Sequence, residues 1–153
     1  IESVDMMNRI ILEAEGDEAY QAPTASKQNV VEPTVSDAIT LAARQVAETV
    51  NANCIVTYTT SGETTLRAAR ERPTVPILCV TSSLSTARRL AIAWGIHSVH
   101  IDQEERFSTV VKRAVDIAET QGFASSGDHI VITAGVPMGK SGSTNVLRIE
   151  RIP

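Results

Sequence analysis

Cys54-Ile55-Val56-Thr57-Tyr58-Thr59-Thr60-Ser61-Gly62-Glu63-Thr64-Thr65 begins as a β-branched apolar run and turns into a cluster of hydroxyls around one glycine. Such a run favours a strand, and the hydroxyl cluster favours a turn into a helix. A strand is therefore expected over Cys54–Tyr58, then a loop and a helix that Pro73 terminates. The same alternation continues in both directions. Downstream, Ile77-Leu78-Cys79-Val80 reads as a strand, and Ser82 or Ser83 caps a helix expected to reach Trp94 and stop at Gly95. Ser98-Val99-His100-Ile101 is a short strand. Phe107, Val110, Val111, Ala114, Val115 and Ala118 have helical spacing, and that helix stops at Gly122. Ile130-Val131-Ile132-Thr133 and Asn145-Val146-Leu147-Arg148-Ile149 are the last two strands. Upstream, Thr34 opens a helix with Asp37 as its capping-box partner and Val35, Ala38, Ile39, Ala42 and Val46 as its apolar face.

Strands alternating with helices predict βαβ units, and so a three-layer α/β/α sandwich with a five-stranded, mostly parallel sheet. The first, second and fourth strands are continuously apolar, as strands covered on both faces must be. Too few residues separate the fourth and fifth strands for a crossover helix, so the fifth is expected antiparallel at an edge. If the fourth strand returns to the far side of the first, the order is 3-2-1-4-5.

Residues 1–16 form a separate helical stretch, with Val4, Met7, Ile10, Ile11 and Leu12 at helical spacing and Gly16 at its end. Residues 17–33 hold two prolines in a polar mix and are expected to be a linker, leaving 34–153 as the globular domain. The first residue is isoleucine, as in a piece cut from a longer chain. The net charge of −4 argues against a nucleic-acid partner, and aromatic residues at 3% offer no platform for stacked bases. No apolar run has the length of a membrane span. Cys54 and Cys79 sit inside apolar runs, where buried free thiols are expected, and a reducing, cytoplasmic location follows.

Two loops carry chemistry. Thr59, Thr60, Ser61, Gly62 and Thr64 bring hydroxyls to a helix start, whose unpaired N–H groups and partial positive charge suit an anion such as phosphate. The plainer reading is a capped turn with Thr60 as N-cap and Glu63 completing a capping box. Glu63 also puts a negative charge near any bound phosphate. The second loop runs from Ala134 to Asn145 and contains Gly139-Lys140-Ser141. It departs from the nucleotide-binding loop pattern, because Ala134 stands where the first glycine is needed and a strand follows where a helix should. What remains is a glycine-rich loop with one cation, Lys140. With the order 3-2-1-4-5, both loops leave the carboxyl ends of adjacent strands at the topological switch point and face one crevice. The expected ligand is a phosphorylated metabolite, held by Thr59, Thr60, Ser61, Gly62, Thr64, Gly139, Lys140 and Ser141. His97, His100 and His129 lack paired metal-ligand spacing, and no catalytic grouping stands out.

Several stretches resemble the C-terminal domain of pyruvate kinases. They are Tyr58-Thr59-Thr60-Ser61-Gly62, Arg72-Pro73-Thr74-Val75-Pro76-Ile77, Thr86-Ala87-Arg88-Arg89-Leu90 with Trp94-Gly95-Ile96, and above all Gly127 to Pro137 continuing from Ser141 to Ile149. The resemblance covers nearly all of 34–153, and residues 1–16 look like the last helix of the catalytic barrel. In such enzymes the barrel transfers phosphate from phosphoenolpyruvate to ADP with magnesium and often potassium, so this fragment is expected to need no cofactor and to be inactive by itself. The resemblance implies an allosteric effector whose phosphate sits on the loop matching Thr59–Thr64, with the loop matching Gly135–Gly142 closing over it. Members that bind fructose 1,6-bisphosphate often hold its second phosphate with a tryptophan and an arginine from an insertion before the fourth helix of the domain. Here that connection, Ile101 to Arg106, is short and acidic. AMP or a sugar monophosphate is therefore favoured over fructose 1,6-bisphosphate. Partners implied are the chain's own barrel and other copies of itself, a tetramer in the parent enzyme or a dimer of the fragment. The alternatives are an assembly domain without effector, or a free-standing enzyme relying on Lys140, Glu63 and His129.

Overall fold

The computed structural model describes residues 1–17, 34–103, 106–138, 140 and 142–153. By its contacts the chain divides into two units, Ile1–Val30 and Val31–Pro153. In the first, helix α1 (Glu2–Gly16) buries none of its residues, and its apolar positions Val4, Met7, Ile10, Ile11 and Leu12 are all exposed. The linker expected over 17–33 lies, Asp17 apart, outside the described residues.

The second unit runs α2 (Val35–Thr49), β1 (Cys54–Tyr58), α3 (Glu63–Arg70), β2 (Ile77–Thr81), α4 (Leu84–Leu90), β3 (Ile96–His100), α5 (Phe107–Thr120), β4 (His129–Gly135) and β5 (Thr144–Arg151). The sheet order is β3-β2-β1-β4-β5. Every pairing is parallel except β4 with β5, which is antiparallel. Alternate residues of each strand serve opposite faces. Cys54, Val56, Leu78, Val80, Ile130 and Ile132 share one core with Val110, Val111, Ala114 and Ala118 of α5. On the other face, Ile55 and Val131 meet Ala43 and Ala47 of α2, while Ile77 meets Ala68 and Ala69 of α3. Both faces of the central strands are thus covered, which is why these strands carry no polar alternation.

Several boundaries depart from the expectation: β4 and β5 are each longer, and two further shifts have a cause in the register. Helix α4 ends at Leu90, not Trp94, and β3 begins at Ile96, not Ser98. Parallel pairing sets this limit: Ile96 must lie opposite Ile77, so the chain has to leave the helix and turn back first. Trp94 is used instead as a platform, with the Arg72 guanidinium 4.3 Å above its ring. The α4 cap is Ser83, whose hydroxyl accepts the Thr86 N–H at 3.2 Å.

Asp37 joins two helices. Thr34 Oγ1 accepts its N–H at 3.2 Å, which is one half of the expected capping box. Its carboxylate, fully buried, also takes Arg67 at 2.5 Å and Arg70 at 2.7 Å, both on α3. The second oxygen, Oδ2, has no hydrogen-bond partner among the described residues. Burial opposes ionisation, but the hydrogen bonds from Arg67 and Arg70 outweigh it and hold the carboxyl below its ordinary value. The helix dipoles help too, since Asp37 lies in the first turn of α2 and the arginines lie late in α3.

Both thiols are inert by environment. Burial pushes Cys54 up to about 12 and also raises Cys79, against the opposing contacts of Thr65, Ser98 and Thr57. Neither cysteine should react with an aromatic disulfide reagent while the chain is folded, and both should react in denaturant. Rapid labelling of one thiol under native conditions would contradict the burial.

Candidate functional site

The turn from β1 into α3 is built around Gly62. Its φ of +89° is left-handed backbone, which glycine enters without strain. Thr59 Oγ1 accepts the Gly62 N–H at 3.0 Å, and Ser61 Oγ accepts the Glu63 N–H at 3.4 Å. The N-cap of α3 is therefore Gly62, not Thr60, and no side chain caps it. The first-turn N–H groups of Thr64 and Thr65 have no acceptor within their own helix. Thr57 and Thr65 hydroxyls, 2.7 Å apart and buried, fix α3 to β1.

The loop after β4 folds back on itself. Asn145 accepts the Val136 N–H at 2.9 Å and donates to its carbonyl at 2.7 Å. Ser143 donates to the Lys140 carbonyl at 2.7 Å. Gly135 allows the two arms to meet: a Cβ there would overlap Ser143 Oγ and stand 3.0 Å from its backbone. The Val136–Pro137 peptide is cis. Ser36, at the start of α2, donates to the carbonyls of Gly142 and Thr144 at 3.3 and 3.4 Å.

Between the two loops lies an open cleft at the carboxyl ends of β1 and β4. One wall is Tyr58, Thr59, Thr60, Ser61 and Thr64; the other is Gly135, Lys140, Gly142, Ser143 and Thr144. Five of the residues singled out in the sequence thus share one cleft: Thr59, Thr60, Ser61, Thr64 and Lys140. Gly62 shapes the loop but does not line the cleft, and Gly139 and Ser141 lie outside the described residues. Sequence reasoning missed Thr144. Its hydroxyl meets that of Thr64 at 2.5 Å, closing the floor between the loops. One proton of that pair serves their mutual bond. The signal was the register, which sets Gly135 opposite Thr144 and so brings that strand end to the cleft. Glu63 stands at the rim, its carboxylate 3.8 Å from where a Gly142 Cβ would be.

A doubly wound α/β domain with a hydroxyl-lined cleft at its switch point is the class that this fold and site define. The family model described as "Pyruvate kinase, alpha/beta domain" matches residues 37–150, and the chain belongs to that family. It is 39% identical over 149 residues to a pyruvate kinase of Methylorubrum extorquens, covering 97% of this chain and 31% of the relative. A pyruvate kinase of Clostridium acetobutylicum is 34% identical over 150 residues, covering 98% of this chain and 32% of the relative. The chain thus spans about a third of the length of these curated relatives. Among solved structures, a pyruvate kinase from Cryptosporidium parvum superposes with a TM-score of 0.72 at 29% identity, over 80% of this chain and 23% of the other. The chain corresponds to the C-terminal domain of such enzymes.

Proposed function

We propose that this chain is the effector-binding and assembly domain of a cytoplasmic pyruvate kinase, and that the cleft between the loops after β1 and β4 receives the phosphate of a small metabolite. The observation that carries the reading is the convergence of donors. Thr60, Ser61 and Thr64 at the start of α3, and Lys140 on the opposite wall, line one cleft that is open to solvent. Phosphate brings about −1.5 to −2 charges and three strong acceptors, which suits this donor set. The Glu63 carboxylate beside Gly142 and the short, acidic sequence from Ile101 to Arg106 favour AMP or a sugar monophosphate over a bisphosphate.

Losing one hydrogen bond to a charged group costs about 1.5–3 kcal/mol, roughly tenfold or more in affinity. Ser61→Ala and Thr64→Ala should each weaken AMP binding by about that factor in titration calorimetry. Unchanged affinity in both would remove this loop from the site.

Catalysis by the parent enzyme, phosphate transfer from phosphoenolpyruvate to ADP, is assigned to the barrel together with its magnesium and potassium. None of the residues described above is asked to hold those ions. The chain alone should form no pyruvate from phosphoenolpyruvate and ADP in a coupled assay, and turnover above a buffer blank would overturn that assignment.

A further inference from the structure

The loop carrying the proposed phosphate donors is held from behind by α4. Thr86 Oγ1 donates to the Thr60 carbonyl at 2.8 Å, and the Arg89 guanidinium donates to the Ser61 carbonyl. Thr86 and Arg89 are three positions apart on the helix and so share one of its faces. Gly62 abuts the same face. A Cβ on it would stand 3.1 Å from Thr86 Cγ2, 3.3 Å from an Arg89 terminal nitrogen and 3.3 Å from Leu90 Cδ1. Two successive loop carbonyls are thus taken by one helix, and a side chain on the next residue, already in left-handed backbone, would push that helix back by a few tenths of an ångström.

The geometry points to Thr86 and Arg89 as positioning residues of the phosphate loop, an inference that rests on the phosphate-site reading above. In a trans peptide the N–H points opposite to the C=O. Holding the Thr60 carbonyl against α4 turns the Ser61 N–H away from α4. Holding the Ser61 carbonyl there does the same for the Gly62 N–H, which Thr59 Oγ1 receives. The carbonyl oxygens, which would repel an anion, are kept on the far side of the loop. The Ser61 N–H, aligned in this way before binding, needs no reordering when the anion arrives, and the Gly62 N–H holds Thr59 in place. Thr86 is buried, and its own N–H is fixed by Ser83, so its hydroxyl is a rigid support. Arg89 is exposed, so it acts through its hydrogen bond more than through its screened charge.

The test is titration calorimetry of the 153-residue chain with AMP and with inorganic phosphate, alongside thermal melting of every variant. Thr86→Val should weaken both probes by about 3- to 10-fold, the range of a single lost hydrogen bond, and Thr86→Ser should restore affinity to within about twofold. Arg89→Met should weaken both by a similar factor with its melting temperature kept, while Arg88→Met, which removes the same charge from the same helix, should stay within about twofold. If Thr86→Val does not fold, the two arginine variants decide alone, since both side chains are exposed. Wild-type affinity in Arg89→Met, or equal losses in Arg88→Met and Arg89→Met, would overturn the positioning role while leaving the phosphate site standing. Failure of the parent chain to bind either probe would instead overturn the phosphate site, and the positioning role with it.

Discussion

Asp37→Asn should lower the stability of the domain by about 2–3 kcal/mol, one of the largest single-residue effects expected in this chain. Removing one partner from a fully buried ion pair costs about 3–5 kcal/mol, because the other charge is left uncompensated. Here the carboxylate is fully buried, but the side chains of Arg67 and Arg70 are 27% and 35% exposed and can recover some hydration. The cost should therefore fall below that range, yet well above the few tenths typical of a surface pair. Urea unfolding near neutral pH measures it, and a loss under about 0.5 kcal/mol, the scale of a surface pair, would show that the contact is only superficial. The pH dependence follows from the sign of the shift. The Asp37 carboxyl is depressed in the folded state, so its contribution is complete above the ordinary carboxylate pKa of about 4. It is lost as the pH falls through the depressed folded value. The gap between parent and variant should be constant from neutral pH to about pH 5, then shrink under more acid conditions. A gap that persisted unchanged in strong acid would mean that the carboxylate charge is not its source.

The second large effect concerns assembly. β5 is the last strand of the sheet and is eight residues long, and Ile149 on it is 44% exposed. An edge of that length offers a row of backbone donors and acceptors to another strand. We propose that two copies pair their β5 strands antiparallel about a two-fold axis. Arg148 and Glu150, 2.6 Å apart within one chain, would then lie at the junction. Successive residues of a strand direct their N–H groups to opposite edges, so of Val146→Pro and Leu147→Pro only one removes an outward donor. The other breaks the ladder to β4 and should unfold the edge. The variant that stays folded should sediment as a monomer where the parent sediments as a dimer. The same oligomer in the parent and in that folded variant would place the contact elsewhere.

Much of the architecture was legible because it depends on local pattern. Ile55-Val56, Ile77-Leu78 and Ile130-Val131-Ile132 are apolar without alternation, and only a central parallel strand needs that. The short connection between β4 and β5 fixed their antiparallel sense. What was not legible depends on partners distant in the sequence. Nothing near Asp37 foretells that its carboxylate meets arginines 30 and 33 positions away. Nor does the stretch around Thr64 announce Thr144, 80 positions on, as the residue that closes the cleft floor with it. The end of α4 was misplaced for the same reason: helical propensity continues past Leu90, but the register of β3 on β2 stops it. In the phosphate loop, the hydroxyl cluster was plain in the sequence. That Gly62 rather than Thr60 is the N-cap depends on its left-handed backbone and on Thr59 Oγ1 taking its N–H, which the hydroxyl cluster alone does not announce.

The central claim is that the cleft between the two loops binds a phosphorylated metabolite. Its most direct test is a two-dimensional amide NMR titration of this chain with AMP and, separately, inorganic phosphate. Saturable shifts are expected for the amides of Ser61, Gly62, Glu63 and Thr64, and for those of Lys140, Gly142 and Thr144 across the cleft. The α5 amides, on the other face of the sheet, should not move. Shifts that cluster away from both loops, or no saturable shifts with either ligand, would contradict it.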